Sequence, residues 1–275
     1  MPGAYGFELL GIGGDAAAQL VQPEPDWPPL EIERHTGVAA PRRSTIDTAR
    51  AEIALAAGDL VVVQRDPLRA TYTTAEPLSD EALVHPYLAP AAAIAGYWLG
   101  REAFHAGAVV LGGGVWAILG DKESGKSSLL AELARQGHSV FADDAVMLEG
   151  VTVFAGPRSI DLRREPATEL GAGEPIGVVG DRERWRLRLG HVESTSRLRG
   201  WVFLSWGDSV ELTAASGGER LQQLLDHRMI KGLPPPDPQL LLELSDVPAF
   251  RLSRPRLWSQ LETAGAALVD KVSTS

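Results

Sequence analysis

The sequence predicts an α/β protein with a mixed β-sheet and a β-rich N-terminal lead-in. Three observations predict this class: short apolar runs between Pro and Gly punctuation before residue 80, a strand–loop–helix unit near the middle of the chain, and β-turn-β patterns followed by helices after residue 150. With 275 residues, 44% of them hydrophobic, the chain can bury a sizeable core. We therefore expect a single domain over residues 1–275, with a lead-in at 1–80, a core at 104–148 and a β-rich and helical part at 150–275.

Composition excludes several classes of protein. The formal net charge of -10 argues against a general nucleic-acid binder, which needs a surplus of Lys and Arg. The absence of cysteine excludes disulfides and thiolate metal sites and is compatible with a reducing cytosol, so we expect a cytoplasmic protein. The first residues lack the basic start and long apolar core of a secretory signal. The most apolar helical stretch, residues 87–102, contains a proline and is too short to span a bilayer, so we expect a core helix and no membrane partner.

The predicted elements follow in chain order. Strand-like runs in residues 6–75 read FELLGI, LEIER and LVVVQRD, and a helical pattern covers 81–103. The runs HAGAVVL and VWAIL are joined by Gly112, Gly113 and Gly114, which predicts a hairpin. A helix with the sequence SSLLAELARQ should end at Gly137, before the buried strand of HSVFADD. Later strands are predicted in VTVFAG, RWRLRLG, GWVFLSWG and SVELTAA, and helices around 217–229, 237–244 and 255–271.

The segment from Gly120 to Ser127, GDKESGKS, has the G-x-x-x-x-G-K-S spacing of a Walker A phosphate loop between a predicted strand and a predicted helix. Glycines let backbone N–H groups surround a phosphate, and the helix N-terminus favours an anion. Lys126 would then reach the β- and γ-phosphates of ATP, and the Ser127 hydroxyl would bind Mg²⁺. The alternative is a Gly-rich turn without a ligand. The candidate nucleotide-binding residues are Gly120, Asp121, Lys122, Glu123, Ser124, Gly125, Lys126, Ser127 and Ser128.

A second group of candidates supplies acids and bases. Asp143 and Asp144 end a predicted strand shortly after the loop, where one acid can hold the metal and the other can face the nucleophile. The alternative is an exposed acidic turn. His105 begins the strand pair that leads into the loop, and it is either catalytic or structural. Arginines that could contact a transferred phosphate, or be solvated, are Arg158, Arg163 and Arg164.

Residues 104–148, FHAGAVVLGGGVWAILGDKESGKSSLLAELARQGHSVFADDAVML, resemble the catalytic core of the HPr kinase/phosphorylase family, whose fold is related to the phosphoenolpyruvate carboxykinases. The resemblance implies that His105 lies near the transferred phosphate, that Lys126 and Ser127 serve ATP and Mg²⁺, that Asp143 is the general base and that Asp144 is the metal ligand. Residues 153–171 look like the segment that follows this core in related kinases of peptide natural-product clusters, including lasso-peptide precursor kinases. Related kinases are often oligomers, so a homo-oligomer is also an expectation.

The chain departs from bacterial HPr kinases in two respects. It has Glu123 where they usually carry Gly, and it lacks their downstream Glu-Ile-Arg-Gly-Leu-Gly-like signature, which is tied to phosphorolysis. The expected function is therefore transfer of the γ-phosphoryl group of ATP to a hydroxyl, on a Ser of a peptide or small protein. The alternatives are a non-catalytic nucleotide-binding regulatory protein and a small-molecule kinase. Strand GWVFLSWG, with Trp201, Phe203 and Trp206, either offers an acceptor surface or faces the core.

Overall fold

The computed structural model describes residues 1–39, 44–55 and 58–273, and these residues form three β-sheets with helices between and around them. The expected α/β class with mixed sheets is confirmed. The predicted lead-in at 1–80 includes residues 40–43 and 56–57, which lie outside the described residues, as do residues 274–275 at the end of the predicted domain. The assignment of the whole chain to one domain stays a prediction.

The first sheet contains the predicted lead-in strands and has the order β1-β2-β3-β7-β6-β5-β4. Its strands are β1 (Gly3–Ala4), β2 (Phe7–Leu10), β3 (Pro29–Thr36), β4 (Thr45–Ile46), β5 (Arg50–Ala54), β6 (Leu60–Gln64) and β7 (Arg69–Thr74). Strand β3 is parallel to β2 and β7, whereas β4 to β7 pair antiparallel. Alternation places Val61 and Val63 on the buried face of β6.

The predicted core helix is present, but it is shorter than the pattern suggests. After α1 (Gly14–Ala17) and α2 (Asp80–Ala82), a kinked segment, Leu83–Tyr87, leads into α3 (Leu88–Trp98). Pro90 lies in the first turn of α3, where a missing N–H leaves no hydrogen bond unmade. Nearly every residue of α3 is buried, because the helix packs against both β6 and β8 (Glu102–Phe104). None of the helices in the described residues is long and apolar enough to cross a membrane.

The second sheet has nine strands and carries the predicted central unit. Its path is β11-β9-β10-β17-β13-β12-β8, and β19 pairs with β17 and with β18. Besides β8, its strands are β9 (Ala106–Leu111), β10 (Gly114–Leu119), β11 (Val140–Ala142), β12 (Val146–Glu149), β13 (Thr152–Phe154), β17 (Thr195–Trp206), β18 (Glu211–Ala214) and β19 (Ala249–Arg254). The hairpin of β9 and β10 is confirmed, and Gly112 and Gly113 both have positive φ, as a tight hairpin turn requires.

The central strand β10 separates two apolar cores. Val115, Ala117 and Leu119 belong to one core, whereas Trp116 and Ile118 belong to the other. Successive side chains of a strand point to opposite faces, so β10 is buried on both sides. A glycine-rich loop, residues 120–125, connects β10 directly to α4 (Lys126–Arg135), so the loop has a rigid element at each end.

Helix α4 packs closely on β9 because Gly107 has no side chain. A Cβ at Gly107 would lie 2.3 Å from Leu130 Cδ1. The helix buries Leu129, Leu130 and Leu133, and Gly137 beyond its end has φ +91°, the left-handed conformation predicted for its C-terminus. This packing fixes the direction in which the N-terminus of α4 faces.

A third sheet packs against α4 through one of its strands, β14. Its order is β14-β16-β15, and its strands are β14 (Ser159–Leu162), β15 (Glu174–Val179) and β16 (Arg182–Arg188). The remaining helices are α5 (Arg164–Leu170), α6 (Gly217–His227), α7 (Pro238–Asp246), a short 3₁₀ turn (Trp258–Gln260) and α8 (Leu261–Ser273). The helices predicted after residue 217 are thus present, the last as a short turn followed by α8.

Candidate functional site

A cavity of about 850 Å³ lies between the glycine-rich loop and the third sheet. The loop needs its glycines: Gly125 has φ +87°, and a Cβ at Gly120 would lie 2.6 Å from Ser124 Oγ. Glu123 also has positive φ, +69°, although it has a side chain. The loop is therefore held in a conformation that ordinary residues rarely adopt, directly before the N-terminus of α4.

Lys126, the first residue of α4, is 8% exposed and lines the cavity. Its Nζ donates hydrogen bonds to the carbonyl oxygens of Gly120, at 2.5 Å, and Asp121, at 3.2 Å. Burial lowers the pKa of Lys126, while the nearby carboxylates of Asp143 and Asp144 oppose that shift. The ammonium group and the unpaired N–H groups at the start of α4 together favour an anion in this part of the cavity.

Ser127 and Asp143 are in direct contact. The Ser127 hydroxyl donates a hydrogen bond to Asp143 Oδ1 at 3.0 Å. Asp143 is 3% exposed, and burial raises its pKa to about 6, with a further increase from Asp144 that His85 and the Ser127 hydrogen bond partly offset. The buried carboxylate and the hydroxyl beside it supply two hard oxygen ligands, and Mg²⁺ prefers ligands of this kind.

Asp144 and His105 form a second pair beside the first. His105 Nδ1 lies 3.0 Å from the backbone carbonyl oxygen of Asp144 and 3.4 Å from Asp144 Oδ1. Asp144 has a positive φ of +69°, and both side chains are partly exposed and line the cavity. Burial lowers the pKa of His105, and Asp144 opposes this effect. The pair can accept or hold a proton at the open side of the cavity.

The other loop candidates divide into two groups. Lys122, Glu123, Gly125 and Ser128 line the cavity. Gly120, Asp121 and Ser124 do not. The Asp121 side chain is 99% exposed and lies 3.8 Å from His227 Nε2, whereas the Ser124 hydroxyl is buried inside the loop without a hydrogen-bond partner among the described residues.

The three arginines singled out in the sequence have different environments. Arg158 is buried away from this cavity. Its side chain donates hydrogen bonds to the backbone carbonyl oxygens of Val140, Phe141 and Gly190 and therefore stabilises the fold. Arg163 forms an ion pair with Glu123 at 3.0 Å, and both residues line the cavity. Arg164 lines the cavity near Trp185.

The strand β17 supplies one aromatic side chain to the cavity. Trp201 and Phe203 are buried in the core, as the core-facing interpretation predicts, whereas Trp206 at the end of the strand is 39% exposed and lines the cavity. Of these three aromatic residues, only Trp206 could contact a phosphate acceptor in the cavity.

Two cavity residues could not be singled out by motif. His85 is buried and lies 3.9 Å from Asp161 Oδ2, and no spacing in the sequence connects it with the loop. Arg254 ends β19, where Phe250 and Leu252 precede it at alternating, buried positions. The alternation of β19 thus places the cation of Arg254 at a core-facing position, where charged residues are rare. This unusual position is the sequence signal that could have identified Arg254.

Comparison with known proteins finds similar chains among solved structures. No family model matches the chain, and no curated protein matches it. Among solved structures, the chain is similar to the Hpr(Ser) kinase/phosphatase from Coxiella burnetii, with 14% sequence identity, 62% of this chain and 97% of that chain covered, and a TM-score of 0.30.

Proposed function

We propose that this protein is an ATP- and Mg²⁺-dependent kinase that transfers the γ-phosphoryl group to a hydroxyl, with a Ser of a peptide or small protein as the acceptor. The observation that carries the proposal is the 3.0 Å contact of Ser127 and Asp143 at the N-terminus of α4, beside the buried ammonium of Lys126. An anion site and a hard-cation site that adjoin each other are what a magnesium-bound polyphosphate requires. The glycine-rich loop is then a phosphate loop in a core related to HPr kinase and phosphoenolpyruvate carboxykinase.

The residues at the site suit magnesium. The described residues contain no group of three or more His, Asp or Glu side chains that could hold a metal ion by themselves. Mg²⁺ is commonly held by one or two protein oxygens together with substrate phosphates, so Ser127 and Asp143 are sufficient protein donors. The pKa of Asp143 is raised because burial makes its ionised carboxylate less stable, and a bound cation would stabilise that ionised form. When bound, Mg²⁺ would neutralise charge on the phosphoryl oxygens.

This geometry supports an exchange of the roles that the family resemblance implies for the two acids. Asp143 contacts Ser127 and is buried, which suits holding the metal. Asp144 is more exposed and lies beside His105, which suits a carboxylate that faces an incoming hydroxyl and accepts its proton. We therefore assign Asp143 to the metal side and Asp144, oriented by His105, to the acceptor side.

Lys126 has a defined task in this proposal. Its ammonium group has three N–H donors, and two of them are used by the carbonyl oxygens of Gly120 and Asp121. The third donor can reach a phosphoryl oxygen while the other two keep the side chain in place. Catalysis of this kind depends on positioning and charge, and both come from groups that the fold fixes. The cytoplasm, where ATP and newly made peptides are available, is the proposed compartment.

The test is phosphoryl transfer from labelled ATP, with Mg²⁺, to serine-containing peptides and to small alcohols. We expect the wild-type protein to label an acceptor, and Asp144→Asn to reduce the rate about 10²- to 10⁴-fold while it keeps Mg-ATP binding. Asp143→Asn should weaken the binding of Mg-ATP itself. Glu165→Gln is the matched control, because it removes a negative charge from the same cavity without touching the Ser127–Asp143 or His105–Asp144 pair.

The outcomes separate the alternatives. A wild-type protein that binds Mg-ATP but labels no acceptor would be a nucleotide-binding regulatory protein, and the kinase proposal would be wrong. Labelling of small alcohols but not of peptides would identify a small-molecule kinase. An Asp144→Asn variant with the wild-type rate would remove the assignment of the proton acceptor.

A further inference from the structure

Arg254 is a buried cation without a counter-charge. Its side chain is 3% exposed, and none of the described acids lies within ion-pairing distance of it. Its Nε has no hydrogen-bond partner, and its one hydrogen bond within the described part of the chain runs from Nη1 to the Pro255 carbonyl oxygen at 3.4 Å. Burial lowers the pKa of Arg254 to about 10. A buried charge without a partner destabilises a fold by several kcal/mol, so such a position needs an explanation.

The guanidinium group of Arg254 is held against the phosphate loop. Its Cζ lies 4.3 Å from the ring centroid of Trp206, in stacking range. Nη2 lies so near Gly125 that a Cβ added there would be 2.3 Å from it. Both Trp206 and Arg254 line the cavity that contains Lys126 and Ser127. The aromatic ring and the loop therefore fix the orientation of unused N–H donors at the N-terminus of α4.

We propose that Arg254 is a phosphate-binding residue of this cavity, which holds the polyphosphate of the nucleotide beside the phosphate loop, and that Trp206 orients its guanidinium group. The inference rests on the proposed nucleotide site and adds to it a second fixed cation. Planar guanidinium groups bind phosphate oxygens through their N–H groups, and Nη2, which lies against Gly125 and makes no hydrogen bond among the described residues, is the donor nearest the phosphate loop. An anion in the cavity would supply the missing counter-charge.

The test uses inorganic tripolyphosphate with Mg²⁺ as the probe, titrated calorimetrically into the full-length wild-type protein, Arg254→Met and Arg251→Met. Arg251 is the matched control, since it lies on the same strand, is exposed and pairs with Glu219 at 2.6 Å. We expect Arg254→Met to bind tripolyphosphate about 30-fold more weakly or worse, and Arg251→Met to bind it as the wild type does. We also expect ligand-free Arg254→Met to unfold at a temperature no lower than the wild type, because it lacks the unpaired charge.

A structural role for Arg254 would give the opposite pattern, with a lower unfolding temperature and unchanged tripolyphosphate affinity, and it would overturn the inference. Weaker binding of ATP with unchanged binding of tripolyphosphate would assign Arg254 to the base instead, and would overturn it as well. If Arg254→Met does not fold, the Nε–H resonance of Arg254 in the wild-type protein decides: it should shift when tripolyphosphate is added, and an unmoved resonance contradicts the inference.

The two proposals can fail separately. A wild-type protein that binds tripolyphosphate through Arg254 but transfers no phosphoryl group would refute the kinase proposal and leave this inference intact. An active kinase in which Arg254→Met binds tripolyphosphate normally would refute the inference alone. A wild-type protein that binds Mg-ATP but not tripolyphosphate contradicts the inference, and the kinase proposal is then decided by phosphoryl transfer from ATP alone.

Discussion

Asp143 carries an energetic cost in the ligand-free protein that its neighbours only partly offset. Burial is the largest influence on its carboxyl group and raises its pKa to about 6, while His85 and the hydrogen bond from Ser127 act in the other direction. A group whose pKa is higher in the folded than in the unfolded state stabilises the fold only while it is protonated. The ionised carboxylate at the proposed metal site therefore lowers the free energy of unfolding of the ligand-free protein.

The sign of this effect gives a prediction for Asp143→Asn. At pH 4 the carboxyl group is protonated in the folded state and about half protonated in the unfolded state, so its ionisation separates the variant from the wild type by less than about 0.5 kcal/mol. Between about pH 4 and pH 6 the unfolded chain ionises while the folded wild type keeps its proton, so the wild type loses stability relative to the variant, and the difference levels off at about 3 kcal/mol by pH 8. Urea denaturation at both pH values, without Mg²⁺ or nucleotide, measures the difference.

The control for this experiment is Glu193→Gln, which removes a negative charge from an exposed position. It should change stability little at either pH. A stability difference between Asp143→Asn and the wild type that is the same at pH 4 and pH 8 would contradict the raised pKa.

At the scale of elements, the third sheet is attached to the helical segment before α3 through one buried side chain. Arg186 on β16 forms a two-pronged ion pair with Asp161 on β14, at 2.7 and 2.9 Å, and donates to the carbonyl oxygens of Glu81 and His85. Asp161 has no exposed side-chain surface. This network holds one wall of the cavity and positions His85 within it.

Arg186 and Arg188 offer a matched comparison on the same strand. Arg186→Met should lower the free energy of unfolding by about 3–5 kcal/mol, because it leaves the buried Asp161 carboxylate without its main partner. Arg188 is 54% exposed and pairs with the Glu81 side chain at 3.1 Å, so Arg188→Met should cost no more than about 1 kcal/mol. Chemical denaturation of both variants measures the difference, and similar losses for the two would show that the buried network does not attach the sheet.

Local patterns predicted the elements that depend on nearby residues. The hairpin at Gly112 and Gly113, the loop after β10 and the end of α4 at Gly137 all follow from turn chemistry and periodicity within a short window. Strand pairing was not predictable in this way. Strand β17 is parallel to both β10 and β19, and these partners are separated by long stretches of sequence whose contacts leave no local pattern.

The same distinction explains the candidate site. The motif identified Lys126, Ser127 and the two aspartates because their spacing along the chain is characteristic. Arg254 and His85 reach the cavity from distant parts of the chain, and only the packing of sheets and helices brings them to it. Arg158, in contrast, is near the core in sequence, but its hydrogen bonds to three carbonyl oxygens direct it elsewhere.

At the scale of the whole molecule, charge is distributed unevenly. The chain has a formal net charge of -10, yet Lys and Arg outnumber Asp and Glu among the residues that line the cavity. A basic cleft in an acidic protein attracts small anions, whereas the negative charge of the rest of the protein repels long polyanions such as nucleic acid. The distribution is consistent with a site for a small phosphorylated ligand.

The most direct measurement is calorimetric titration of ATP into the wild-type protein and into Ser127→Ala, each with Mg²⁺ and with the metal chelated. We predict that the wild type binds ATP and that chelation weakens this binding. Ser127→Ala should lose roughly tenfold or more in affinity in the presence of Mg²⁺ but little in its absence. A wild-type protein that does not bind ATP, or binding that neither chelation nor the Ser127 substitution changes, would contradict this prediction.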